Sequence, residues 1–240
     1  MMASVMVTRV TGHTYHLGDC PIVEPQSGFE MSRFLGMWYV VQKTSTGSRC
    51  LYYNITQSPE PYEYTIEQVS EHPALGVVSV DNKYHYTGTL KVPQKDTPAR
   101  MTVKFPLNPI GKSSFVVFIT DYDTYAGIYT CQELPASNRR SASILSRKPI
   151  LDKQYIDKIR LRMSGFGVNP YDLSLIDQSK CPKETNIDLG IDPDTFSASN
   201  IAAGVRKAGE KIGDGIEVVA AGGKRVYDSV NKDSEVELLK

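Results

Sequence analysis

Between Trp38 and about Arg147 the chain is a succession of short β-branched and aromatic runs, each ended by turn residues within hairpin distance of the next. The first run ends at Val40-Val41, before Thr44-Ser45-Thr46-Gly47. The others cover residues 49–57, 62–69, 83–92, 100–105, 115–120, 125–132 and 141–147. The breaks carry Ser58-Pro59-Glu60-Pro61, Pro93, Pro98, Asn108-Pro109-Ile110-Gly111 and Pro135. Proline lacks the ladder donor, and Asn and Gly accept turn backbone, so each break stops a strand. No helical pattern of crossover length separates the runs, which excludes parallel βαβ units. Eight strands on short connections predict an all-β fold, either an antiparallel sandwich or an up-and-down barrel.

Alternation then selects an interior face. Asn54-Ile55-Thr56 is an N-glycosylation sequon, and a glycan on Asn54 has to face solvent. Side chains alternate along a strand, so Tyr52 shares that outer face while Leu51, Tyr53 and Ile55 point inward. In 83–92, Tyr84, Tyr86 and Leu90 share one face, with Lys83, His85 and Lys91 on the other. Tyrosine is frequent, at 14 residues. Rings of this kind suit a pleated sheet with hydroxyls at the rim; turned inward, they offer a ligand apolar surface and a few donors.

The four cysteines, Cys20, Cys50, Cys131 and Cys181, include no C-x-x-C pair. Zinc ribbons and thioredoxin-like sites need such pairs, because two thiolates must converge on one centre. Widely spaced and even in number, these cysteines suit two long-range disulfides with three possible connectivities, or four buried thiols. Disulfides and the sequon both point to an oxidising, extracellular compartment. At the N-terminus, Val5-Met6-Val7 is cut short by Thr8 and Arg9, so Met1–Gly12 reads as a defective or truncated leader. Lys+Arg and Asp+Glu number 27 each, which denies the chain the basic footprint of a nucleic-acid binder.

After Pro149, the segment Asp152–Met163 places Tyr155, Ile156, Ile159 and Met163 at helical spacing, with Asp152 as N-cap and Gly165 beyond the end. A single helix after eight strands forms no second core, so it packs on the outside of the sheet. Residues 171–176 alternate as one more short strand leading to Cys181. Three motifs line up with these elements. Gly36-Met37-Trp38-Tyr39, with Phe29 upstream, opens the first strand. Thr120-Asp121-Tyr122 forms a turn, and Arg147 closes Ile144-Leu145-Ser146-Arg147 just before the helix. In this order and spacing the chain resembles the lipocalins. Further stretches are similar to the apolipoprotein D and Lazarillo branch of that family: His16-Leu17-Gly18-Asp19-Cys20-Pro21, Gly47-Ser48-Arg49-Cys50, Tyr129-Thr130-Cys131, and Asp177 through Lys183.

The resemblance spans roughly residues 13–183. It implies an eight-stranded antiparallel barrel whose closed end is plugged by Trp38, with Arg147 stacked across it by a cation–π contact and backbone hydrogen bonds. It implies disulfides Cys20–Cys131 and Cys50–Cys181, each closing a loop worth about 4–5 kcal/mol in the chain-entropy model. It implies a carrier of a small hydrophobic ligand of the fatty acid, sterol or retinoid class, held inside the barrel. The candidate lining residues are Leu51, Tyr53, Ile55, Tyr84, Tyr86, Phe105 and Phe118. Ser143 stands where the resemblance places a bulky aromatic, which widens the mouth. Residues 72–78 read as an insertion near the open end, either a hydrophobic lip or a longer hairpin. A bilin-type chromophore carrier and a receptor- or lipoprotein-docking protein with an incidental cavity are the alternative functions.

The resemblance stops near Lys183, dividing the chain into a leader (1–12), a barrel (13–184) and a tail (185–240). Residues 185–199 are polar and read as a linker. From Ile201 to Val230 an eleven-residue period aligns Ile201, Ile212 and Gly223; Val205, Ile216 and Tyr227; and Ala208, Val219 and Val230. That period fits a nearly straight helix with one apolar stripe. Gly204, Gly209, Gly213, Gly215, Gly222 and Gly223 each cost it about 1 kcal/mol relative to Ala. The reading is a tail disordered in water and helical on a lipid surface or lipoprotein. No cofactor, metal or catalytic site is expected. His13, His16, His72 and His85 are scattered, H-x-x-x-H and G-x-S-x-G motifs are absent, and the implied disulfides leave no cysteine as nucleophile.

Overall fold

The computed structural model describes residues 14–191 apart from 45, 47, 72–81, 107, 109–110, 180 and 182–186. A short strand β1 (Thr14–Leu17) and a one-turn helix α1 (Met31–Phe34) precede the barrel. Eight strands follow: β2 (Gly36–Thr44), β3 (Arg49–Gln57), β4 (Glu63–Glu71), β5 (Asn82–Lys91), β6 (Arg100–Lys104), β7 (Ser113–Thr120), β8 (Tyr125–Leu134) and β9 (Ser137–Ser146). Each pairs antiparallel with its successor, and β2 pairs with β9 to close the ring, so the fold is an up-and-down barrel and not a sandwich. Closure leaves no free edge around the ring except where a strand is too short.

β6 is that strand. It meets β5 only at Thr89–Lys91, leaving the other half of β5 without its neighbour. β11 (Ile187–Ile191) takes the vacancy, running parallel to β5 from Ile187↔Asn82 to Ile191↔Tyr86. The stretch read as linker therefore contributes wall. Its alternation of Ile187, Leu189 and Ile191 with Asp188 and Gly190 is a weak strand signal that gains meaning only beside an open edge.

Two apolar clusters lie on opposite faces of the wall. Inside the barrel are Trp38, Val40, Leu51, Ile55, Ile66, Leu90, Met101, Phe115, Val117, Ile128 and Leu145. Outside, Val41, Phe118, Tyr125, Tyr129 and Ile144 pack with Ile159 and Met163 of α2 (Lys153–Gly165). The helix carries the expected apolar residues inward, with Tyr155 stacked on Tyr125 at 5.0 Å. Asp152 is its N-cap by backbone: the carbonyl accepts from the amides of Tyr155 and Ile156, while the side chain makes no cap bond. β10 (Leu173–Leu175) then pairs with the far end of β2. β9 begins at Ser137, earlier than its apolar run, because the polar stretch 137–140 is held between β8 and β1. The Asn138 side chain donates to the carbonyls of Gly18 and Asp19.

The disulfides are Cys20–Cys131 and Cys50–Cys181. The first ties the N-terminal segment to β8 and the second ties the segment after β10 to β3. The leader, the insertion at 72–78 and the repeat tail at 201–230 lie outside the described residues.

Candidate functional site

One end of the barrel is sealed by a stack that starts at Gly36. Its φ of 90° is a left-handed backbone that β-carbon residues adopt at a cost, and it turns the chain from α1 into β2. Trp38 follows, with no exposed surface, its indole nitrogen donating to the Phe34 carbonyl at 2.8 Å. The Arg147 guanidinium sits 3.7 Å above the indole ring. It donates to four carbonyls: Met37 at 2.8 Å, Tyr122 at 2.9 Å, Leu35 at 3.0 Å and Arg33 at 3.1 Å. Burial lowers the Arg147 pKa from its ordinary value, with Asp123 opposing the shift. The Thr120-Asp121-Tyr122 turn supplies the third side. Asp121 accepts from the amides of Thr124 and Tyr125, and the Tyr122 hydroxyl accepts from the Glu30 amide. Gly36, Trp38, Thr120, Asp121, Tyr122 and Arg147 thus converge on one end.

The other end holds a cavity of about 310 Å³, enough for one small ligand. Ile66, Val103, Phe115 and Ile128 give it an apolar part. Gln68, Thr130, Ser141 and Ser143 give it polar walls, and Tyr86 stacks on Phe105 at 4.6 Å along one side. Ser143 faces the cavity, so no ring fills that position. Two cations, Lys43 and Arg139, line the space, and no carboxylate among the described residues does.

Lys43 is there because β2 breaks its own alternation. Trp38 and Val40 point inward, which by simple parity sends Gln42 in and Lys43 out. The pairing with β9 slips between Val40 and Gln42, a β-bulge that inverts the parity beyond it. Val41 joins the outer cluster, and Gln42 accepts a hydrogen bond from Arg160 of α2. Lys43 enters the barrel, donating to the Tyr53 hydroxyl at 2.7 Å and to Gln68 Oε1 at 3.4 Å. The bulge is held by a segment that is not part of the eight strands. The Ile176 amide donates to the Val41 carbonyl, and the Cys50 amide donates to the Asp177 carbonyl. The Gln178 side chain donates to the carbonyls of both Val40, at 2.8 Å, and Leu51, at 2.7 Å. Residues 176–178 therefore bridge β2 and β3 where the two strands have parted.

Of the residues named from sequence, Leu51, Tyr53, Tyr86 and Phe105 line the cavity. Ile55 also points inward, but it is packed in the inner core opposite Gly36, below the open space. Tyr84 pairs with Ser70, is half-buried and is not among the lining residues. Phe118 is on the other side of the wall: it is buried in the outer cluster, with its ring against Phe166 at 5.9 Å. The whole length of β7 beyond Ser114 is buried, so alternation of hydropathy could not say which face of it was the interior. The deciding feature is Gly127 on the neighbouring strand, whose missing side chain leaves room for the Phe118 ring. Asn54 lies on the outer face of β3, half-buried, beside Tyr52. Sequence reasoning missed Lys43, Gln68, Arg139 and Gln178. Gln68 was within reach of alternation on β4, but Lys43 was hidden by the bulge.

A closed eight-stranded barrel, plugged at one end by Trp38 and Arg147 and hollow at the other, is the lipocalin fold. Within that class it is similar to apolipoprotein D. The mouse (Mus musculus) protein is 25% identical over 183 residues, covering 74% of this chain and 92% of the relative. The Bos taurus protein is 26% identical over 188 residues, covering 72% and 89%. Insecticyanin-B of Manduca sexta is 26% identical over 168 residues, covering 64% and 77%. Among solved structures, tobacco hornworm insecticyanin superposes with a TM-score of 0.59 at 21% identity, covering 75% of this chain and 97% of its own. Lobster apocrustacyanin A1 superposes with a TM-score of 0.58 at 19% identity, covering 70% and 93%. These two share the fold. No protein-family model matches the chain.

Proposed function

We propose that the protein is a non-enzymatic, extracellular carrier of one small hydrophobic ligand of the fatty acid, sterol or retinoid class, bound inside the barrel. The observation that supports this reading best is the cavity of about 310 Å³ between a sealed end and an open one. The two disulfides suit an oxidising compartment, and Asn54 is the expected glycan site. The repeat at 201–230 is read as a lipid-surface or lipoprotein element of the tail that follows β11.

Mass spectrometry of organic extracts from natively purified protein tests the carrier reading. A stoichiometric lipid, sterol or retinoid is expected. No extractable ligand, together with no binding in a fatty-acid and retinol titration, refutes it. The sequence likeness to insecticyanin-B favours a chromophore carrier as the second reading; a colourless native protein eliminates it. Circular dichroism of residues 198–234 with anionic vesicles tests the tail, and no gain of helix sinks the lipid role.

A further inference from the structure

The cavity distinguishes among the ligand classes just named, and the inference below rests on the carrier reading. We propose that the cargo is an amphipathic anion, with its carboxylate on the Lys43 ammonium and its apolar part against Ile66, Val103, Phe115 and Ile128. Lys43 is turned inward by a bulge that residues 176–178 hold in place. A lysine on a solvated strand face needs no such device.

Once inside, its ammonium meets only neutral groups among the described residues. Tyr53 and Gln68 accept two of its protons, the second at the long limit of a hydrogen bond. An ammonium has three donors, and Lys43 has no ion pair among the described residues. Glu63, Glu67 and Glu71, the carboxylates of β4, are engaged with Lys91, His85 and Arg49 and do not line the cavity. A cation kept partly out of water without a counter-charge is unfavourable, and a ligand carboxylate supplies that charge through a charge-assisted hydrogen bond.

Arg139 extends the field toward the mouth. Lys43 pairs across to Ser143 of β9, and Arg139 lies four residues further along that strand, a rise of about 13 Å. Two cations and no acid among the described lining residues draw an anion in and orient it. A neutral sterol or alcohol occupying the same space would cover Lys43 and leave its charge unmatched, so the cavity selects against it.

Delipidated full-length protein with intact disulfides is titrated by calorimetry at neutral pH with dodecanoate, dodecanol and retinol. Dodecanoate is expected to bind at least about tenfold tighter than dodecanol, the ratio one charge-assisted hydrogen bond gives. Lys43→Met is expected to remove the preference, with dodecanoate weakened and dodecanol no longer penalised, and Lys43→Gln serves as a second, more polar neutral variant. Equal affinity for acid and alcohol in the wild-type protein overturns the inference whether or not a variant folds. So does a folded variant that keeps the preference. Those results leave the carrier reading standing, whereas failure of all three probes to bind overturns both.

Discussion

Replacing Arg147 by Met removes the clamp over the closed end and keeps its apolar stem. Two of its four acceptors, the carbonyls of Tyr122 and Leu35, are partly buried, and those of Met37 and Arg33 are reached by water. Water replaces the guanidinium at the exposed pair, so the loss concentrates in the other two bonds, at about 1.5 kcal/mol each for a charged donor. The cation–π contact at 3.7 Å over a fully buried indole adds about 1 kcal/mol. The sum is about 4 kcal/mol, a large part of the 5–15 kcal/mol typical of a domain. With a urea m-value of about 2 kcal/mol/M, the unfolding midpoint falls by about 2 M. Trp38 is the only tryptophan and lies under the guanidinium, so its fluorescence reports the transition from the affected site. Arg147→Lys keeps the charge but not the fork that reaches several carbonyls, and it is expected to lose about half as much. A shift below about 0.5 M for the Met variant, or a Lys variant as stable as the wild type, would refute the assignment of closure to this residue.

Three further perturbations address other parts of the wall. Gln178→Leu strands two carbonyls at the parted ends of β2 and β3 and is expected to cost about 2–3 kcal/mol in the same urea assay; no loss would mean the bulge holds itself. Gly127→Ala places a methyl 2.5 Å from the Phe118 ring, so overpacking of about 1–3 kcal/mol is expected, and a neutral result would move Phe118 off the outer face. Tyr129 is 2% exposed, its hydroxyl has no partner among the described residues, and burial pushes its pKa from 10.0 up to about 12, with Arg140 opposing. The folded protein therefore holds a proton that the unfolded chain releases, and stability falls as pH rises from about 10 toward about 12. Tyr129→Phe is expected to be at least as stable as the wild type at neutral pH and to lose less over that alkaline interval; parallel pH–stability curves would reject the buried-phenol account.

The closed end was legible because a glycine, the single tryptophan and an arginine stand in fixed order along the strands. The hairpin rhythm likewise marked the strands, since proline and glycine act locally. Legibility failed where a face is decided by a neighbour. Phe118 faces out because Gly127 makes room there, and Lys43 faces in because a segment more than a hundred residues later bridges the parted strands. Ser137–Arg140 is strand only because β1 and β8 flank it. Pairing of this kind overrides propensity. The cavity was thus half-readable: alternation places Leu51, Tyr53 and Tyr86 in its wall, but neither Phe115, on a β7 buried throughout beyond Ser114, nor the charge of Lys43 follows from it.

The pairing of β11 with β5 also has a consequence for how the protein is made. Synthesis delivers β2 through β9 first, and domains begin to fold as they emerge. Until residues 187–191 are available, half of β5 presents unpaired amides and carbonyls, the template on which a second nascent chain can add a strand. A chain cut after Cys181 keeps every cysteine and the whole lining of the cavity, yet never covers that edge. Carriage of the ligand and protection from self-association are therefore separable, and the second depends on five residues beyond the last disulfide.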